Sequence, residues 1–160
     1  MVISMSDIKE GGCTCRSVRY RMTAVPIITH CCHCRWCQRE TGSAFVINAL
    51  VETTALEVNG QTIQIDTPSN SGKGQKIVRC PQCHVALWSH YPAAGPTLAF
   101  VRVGTLDDPA AVTPDVHIFT ESKQPWVRLP EGARAFAEFY NVPDVWSPEA
   151  LARAAAAKIS

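Results

Sequence analysis

The chain has 160 residues, enough for one domain with a real core, and its 46% apolar and 18% charged residues exclude a disordered segment. Fifteen basic and fourteen acidic residues leave a net charge of +1, so the basic footprint of a nucleic-acid binder is missing. No apolar run reaches the ~18 residues that a membrane span needs. Residues 1–12 carry Asp7, Lys9 and Glu10 and no signal-peptide core, which points to a reducing cytoplasm where cysteines stay thiols. The alternative, a disulfide framework of eight cysteines, suits chains too small to build a core.

Short strands with frequent turns fill most of the chain. Residues 16–23 alternate, with Val18, Tyr20 and Met22 on one face of a half-buried strand. Residues 26–32 are apolar and β-branched and run into a cysteine cluster. Residues 44–51 form another strand, and residues 56–65 hold two short strands around the turn Asn59-Gly60. Residues 72–74 are a loop. Strands are predicted at 75–79, 85–90 and 97–103, with a Pro/Gly loop (Pro92, Gly95, Pro96) before the last. Residues 117–120 are a short strand, and 131–140 fit a short helix. Ser147, Pro148 and Glu149 read as a cap, a first-turn proline and a first-turn acid, opening an alanine-rich helix over 150–159. The predicted class is mainly β with short C-terminal helices. Residues 1–10 are a lead, 11–142 the cysteine-bearing domain, and 143–160 a helical tail.

Seven of the cysteines fall in three groups: Cys13-Thr14-Cys15, Cys32-His33-Cys34-Arg35-Trp36-Cys37 and Cys80-Pro81-Gln82-Cys83. On an extended segment residues i and i+2 share a face, so Cys13 and Cys15 can present two sulfurs to one ion. Cys80 and Cys83 have the spacing of a tight turn, whose freed N–H groups can donate to sulfur. Together these four thiols suit a structural zinc. The long interval between the pairs argues against a zinc ribbon. It ties the N-terminal segment to the middle of the chain. A redox Cys-x-x-Cys is the alternative, but the βαβ pattern beside such motifs is missing.

Cys32 and Cys34 also share a face, and Cys37 returns after a turn. Three thiolates hold zinc and leave one position open for water or an incoming thiol. His30 has the same parity and is an alternative fourth ligand. A second closed structural zinc, completed by His30 or a partner chain, is the competing reading. His33 faces away and reads as a satisfied polar residue, and Cys31 as a small hydrophobe. Trp36 walls the site or covers core, and His84 has no assigned role.

These groups, followed by Thr41-Gly42-Ser43-Ala44-Phe45, by Gly104-Thr105-Leu106-Asp107-Asp108-Pro109, by Pro114 to Lys123 with His117-Ile118-Phe119, and by Pro125-Trp126, resemble the glutathione-dependent formaldehyde-activating enzyme family, the centromere protein V-like group. The likeness covers roughly residues 11–140. One departure is His84, where the family often carries glycine. The resemblance implies antiparallel sheets of the Mss4-like kind around two zinc ions. It implies a structural zinc on Cys13, Cys15, Cys80 and Cys83 and a catalytic zinc on Cys32, Cys34 and Cys37. The implied reaction condenses glutathione with formaldehyde to S-hydroxymethylglutathione, in reverse a carbon–sulfur lyase. The thiol would attack from the open zinc position or displace one of the three ligands. Arg35, Arg39, Lys73 and Lys76 are candidate partners for the glutathione carboxylates. The small residues of 41–45 would let a ligand approach the backbone or form a plain turn. Two other functions stay open: the same zinc–thiolate chemistry on another thiol or carbonyl compound, and a non-catalytic zinc-stabilised binding module. Exposed β edges with Trp126, Phe136, Phe139 and Tyr140 would allow a homodimer or belong to the core.

Overall fold

A computed structural model describes residues 8–159 of the chain. Ten strands and three helices lie among them: β1 Lys9–Gly12, β2 Arg19–Met22, β3 Ile28–Cys32, α1 Arg35–Thr41, β4 Val46–Glu52, β5 Leu56–Asn59, β6 Ile63–Thr67, β7 Gln75–Arg79, β8 Ala86–His90, β9 Leu98–Arg102, β10 Val116–Ile118, α2 Val142–Val145 and α3 Pro148–Ile159. The fold is mainly β, as the alternating segments predict. Residues 1–7 of the expected lead lie outside the described residues, while Lys9 and Glu10 pair with Met22 and Arg21 in β1.

Two sheets form. One has three strands in the order β1-β2-β5, and the other seven in the order β10-β3-β4-β9-β8-β7-β6. Neighbours run antiparallel except β10, which lies parallel to β3. The central strands are buried on both faces, so they read as nearly continuous apolar runs. Along β4 the alternation sorts two cores. Ala49 and Val51 join Tyr20, Met22, Val101 and Trp88 under the three-stranded sheet. Val46 and Leu50 join Ile28, Leu98, Ile118 and Tyr140 on the opposite face, under α3.

Two expectations need correction. The strands around Asn59-Gly60 do form, but they are not partners. β5 pairs with β2, and β6 pairs with β7 at the far edge of the large sheet. Gly60 sits at φ +106 with the Ser17 carbonyl 2.1 Å from where a Cβ would stand, so only glycine lets the chain pass there. Residues 131–140 are not helical. Their backbone bonds to β10 and the turn after it instead. Arg134 accepts from His117 N–H at 2.8 Å, Phe136 N–H donates to the His117 carbonyl at 2.9 Å, and Glu138 accepts from Phe119 N–H at 3.2 Å. Sheet-edge partners outcompete a short helix that propensity alone supports weakly.

α3 forms as its sequence predicts. Ser147 Oγ accepts from Ala150 N–H at 3.1 Å, and Pro148 takes the first turn. A two-pronged ion pair docks it to the sheet. Arg153 donates to Glu52 through Nε at 2.9 Å and through a terminal nitrogen at 2.7 Å, and also to the Val25 carbonyl at 3.0 Å. Burial would raise the Glu52 carboxyl, but the Arg153 bonds and a backbone N–H outweigh it and hold its pKa below the ordinary value. That stabilisation is complete above the ordinary carboxylate range and fades as pH falls through the lowered pKa. Arg153→Ala is expected to cost about 1–2 kcal/mol at pH 7. In chemical denaturation the gap between variant and wild type should shrink toward pH 3.

Candidate functional site

Cys13 and Cys15 do not sit on a strand as expected. They occupy the turn between β1 and β2, closed by Arg16 N–H to the Cys13 carbonyl at 3.0 Å and Cys13 N–H to the Val18 carbonyl at 3.1 Å. Cys80 and Cys83 occupy the turn between β7 and β8, where His84 N–H donates to the Cys80 carbonyl at 3.0 Å. Each turn places a left-handed residue directly after its last cysteine, Arg16 at φ 65 and His84 at φ 59. Holding a side-chain-bearing residue there costs about 1–2 kcal/mol, so something must fix both turns. The four sulfurs meet, with Cys15 Sγ 3.5 Å from Cys13 Sγ and 3.6 Å from Cys80 Sγ. Zinc–sulfur bonds of 2.3 Å put tetrahedral sulfurs about 3.8 Å apart, so the set fits a zinc ion. Backbone N–H groups already point at the sulfurs, Val18 at Cys13 (3.3 Å), and Gln82 and Cys83 at Cys80 (3.4 and 3.5 Å). Burial opposes charge on Cys80, but the Ser17 hydroxyl and those N–H groups pull it down to about 5.

The second group is built at the junction of β3 and α1. Cys32 ends β3, Cys34 caps α1 and accepts Cys37 N–H at 3.3 Å, and Cys37 lies in the first helical turn. Their sulfurs converge, and no fourth His, Cys, Asp or Glu joins them among the described residues. Bonds from Cys32 and Cys37, with the N–H groups of Cys37 and Trp36, hold the Cys34 thiol down at about 3 against burial. Cys32 is pushed up by donating to Cys34 and Cys37 and by burial. Cys37 gains from its bond with Cys32, yet its bond to Cys34, burial and the adjacent thiolate push it up to about 12. One thiolate and two thiols are thus poised where a cation would draw all three together. The group fits zinc with an open position.

A cavity of about 710 Å³ opens over these sulfurs. Its walls are largely apolar, with Leu50, Leu98, Phe100, Phe119, Phe139 and Trp146 among them, and α3 contributes Leu151, Ala154, Ala155 and Lys158. His30 faces the same cavity, as its parity predicts, but Nε2 is taken by the Tyr140 hydroxyl, which also accepts Trp146 Nε1 at 2.7 Å. Burial lowers His30 to about 4, so it is neutral. It is a hydrogen-bonded wall residue rather than a fourth sulfur-side ligand.

Residues 8–122 match the model of the glutathione-dependent formaldehyde-activating enzyme family. The chain belongs to this family. Glutathione-dependent formaldehyde activation is therefore the activity that membership supports in general terms. Among solved structures, a Rhodobacter sphaeroides protein is similar at 19% identity and a TM-score of 0.45, over 66% of this chain and 91% of that one. No curated protein matches the chain. No helix among the described residues is long and apolar enough to cross a membrane.

Of the four basic residues expected near a glutathione-type ligand, Lys73 lines the cavity. Arg35 bonds Gln38 Oε1 at 3.4 Å, Lys76 pairs with Asp66 at 3.4 Å, and Arg39 is exposed on α1; none of them is a cavity residue. Trp36 walls the cavity. Residues 41–45 are the plain turn: Gly42 caps α1 at φ 64, and Thr41 Oγ1 donates to the Cys37 carbonyl at 2.8 Å. Arg79 joins the two thiol groups, pairing with Glu40 beyond Cys37 and donating to the His84 carbonyl at 2.9 Å. Cys31 and His33 do face away from the three sulfurs, but they meet His117 rather than plain core.

Three polar residues at the site carry no sequence signal. Asn48 lines the cavity, and its Oδ1 accepts from Arg102 at 2.9 Å, which turns the amide nitrogen into the remaining donor. Arg102 is buried, also donates to Ser89 Oγ at 3.2 Å, and leaves Nε without a partner. Tyr91 faces the cavity, and burial together with the nearby sulfurs raises its pKa well above the ordinary phenol value, so it stays protonated. Metal uptake by the Cys32 group at pH 7 should release about two protons, because the three hydrogen-bonded thiols share one negative charge before the ion binds. Calorimetric zinc titration in buffers of different ionisation enthalpy, taken as the difference between wild type and a variant with Cys32, Cys34 and Cys37 all changed to serine, reads that number.

Proposed function

We propose that this chain joins glutathione to formaldehyde at the Cys32, Cys34 and Cys37 group, and cleaves the adduct in reverse as a carbon–sulfur lyase. The observation that carries the reading is three buried, convergent thiols at the floor of a cavity large enough for a small-molecule thiol. Zinc held by these three would keep an incoming thiol as thiolate in its fourth position. The Cys13, Cys15, Cys80 and Cys83 group holds a second, structural zinc in this reading, and the thiols belong to a reducing cytoplasm.

In the forward direction a sulfur lone pair attacks the carbonyl carbon. The carbon–sulfur bond forms, the carbonyl π pair moves to oxygen, and the oxygen takes a proton. Asn48, its Oδ1 fixed by Arg102, donates its amide N–H to the developing oxyanion. Tyr91, kept neutral by burial, is the second donor and a proton source on the cavity wall. Trp36 and Phe139 keep bulk water from the adduct, and Lys73 at the rim takes a glutathione carboxylate. Holding both reactants together supplies much of the gain, because this addition is entropically demanding.

A second reading has its own observation. The cavity walls are mostly apolar, and glutathione carries two carboxylates and an ammonium, whereas Lys73 and Lys158 are the cavity's cations at its surface. That favours the same zinc–thiolate chemistry on a thiol or carbonyl compound with an apolar chain. Calorimetric titration of zinc-loaded protein with glutathione and with a straight-chain alkyl thiol separates the two, with Cys34→Ser alongside. Saturable glutathione binding lost in the variant supports the first reading. Alkyl-thiol binding alone supports the second, and binding of neither leaves a non-catalytic module.

Asn48→Ala is expected to lower kcat about 100-fold with little change in KM, the size of effect seen when one oxyanion donor is removed. Lys73→Ala should raise the KM for glutathione several-fold and leave kcat near wild type. Steady-state kinetics of adduct formation, corrected for the uncatalysed rate, reads both.

A further inference from the structure

The face of β3 that points away from the cavity carries its own cluster. β10 lies parallel to β3 with His117 beside Cys31, and in-register residues of neighbouring strands share a face. Cys31 and His33 are two apart, so they share that face too. The three side chains meet there, with His33 Nε2 3.1 Å from His117 Nδ1 and 3.5 Å from Cys31 Sγ. Zinc bond lengths set tetrahedral nitrogens about 3.3 Å apart and nitrogen and sulfur about 3.6 Å apart. The observed spacings match those, as the sulfur spacings do in the four-cysteine group.

Hydrogen bonding alone does not satisfy this cluster. Cys31 and His33 are buried, and His117 is half-buried. One proton serves the contact between His33 Nε2 and His117 Nδ1, and His33 Nδ1 is left buried with no partner. An ion held at His33 Nε2 fixes that ring's proton on Nδ1. Lys123 is the nearby cation that opposes an ion here. Its ammonium donates to the Val127 and Gln124 carbonyls at 2.8 and 3.3 Å, which anchor it.

We propose that Cys31, His33 and His117 bind a divalent metal ion of the zinc class, at a third site on the opposite face of β3 from Cys32 and Cys34. One thiolate and two imidazoles suit such an ion, and a water completes the tetrahedron. The Cys31 thiol gives up its proton on binding. The half-buried His117 marks the entry side. The site ties the β10 edge to β3 and does not depend on the thiol chemistry proposed for the cavity.

Zinc-loaded full-length protein, freed of loosely held metal, tests this by elemental analysis of wild type, His117→Ala and Cys31→Ser. Each variant is expected to hold one equivalent less than wild type, with an unchanged circular dichroism spectrum and unchanged thiol binding at the cavity. Equal metal content in all three would overturn the site. X-ray absorption at the zinc edge of wild type needs no variant. The two all-cysteine groups give sulfur scattering, so imidazole scattering reports this cluster, and its absence sinks the proposal even if both variants fail to fold.

Discussion

Every residue from His30 to Cys34 is histidine or cysteine, and β3 is buried along its whole length. Alternation then decides the chemistry. His30, Cys32 and, past the strand end, Cys34 turn to one face, and Cys31 and His33 turn to the other. Because neither face meets water, none of these groups ionises freely, and each must find a partner. The neighbouring strands supply them. Antiparallel β4 sets Asn48 beside His30, and parallel β10 sets His117 beside Cys31. A one-residue slip between β3 and β10 would exchange the faces and separate His117 from Cys31 and His33. The ladder bonds on both sides of β3 therefore fix which distant groups meet its two faces.

Arg102 raises the same question of compensation in the opposite sign. A buried guanidinium is costly unless paired, and it forms no ion pair with a carboxylate among the described residues. Its bonds are to the neutral Asn48 and Ser89. The compensating charge is the thiol group: Arg102 lowers the Cys37 pKa through space. Three thiolates around one divalent ion would carry a net negative charge, which would give Arg102 its counter-charge without a carboxylate that competes as a ligand. The same guanidinium fixes the Asn48 amide, so charge balance and donor orientation at the cavity come from one side chain.

The sequence made the strands and the cysteine groups legible because both are local. Period-two alternation marks β2 at Val18, Tyr20 and Met22, and β7 falls on residues 75–79 as predicted. The Cys80-x-x-Cys83 turn needs only its own spacing. What was not legible depends on register between distant strands. Asn48, Tyr91, Arg102 and His117 reach their clusters through the pairing of β3, β4, β8, β9 and β10, and nothing beside them in the chain marks the meeting point. The strands after Leu56 looked like a hairpin because the Asn59-Gly60 signal is local. The close approach to Ser17 that requires Gly60 is not. Residues 131–140 carry helix-compatible composition, and the carbonyls and N–H groups of β10 that claim them are invisible until the sheet edge is placed.

α3 shows how composition can mislead about purpose. Its alanines give little apolar surface, so the helix reads as an indifferent tail. In place, Ala150 and Ala154 are buried against the cavity-side core while Ala154 and Ala155 line the cavity itself. The helix is docked by Arg153 on Glu52 rather than by large side chains. Leucines at these positions would gain burial of about 1.5–3 kcal/mol each, yet they would fill part of the cavity that α3 shares with Cys32, Cys34 and Cys37. Small residues let the helix wall the cavity while keeping the void open. The stability forgone in packing is supplied by the ion pair that docks the helix to the end of β4.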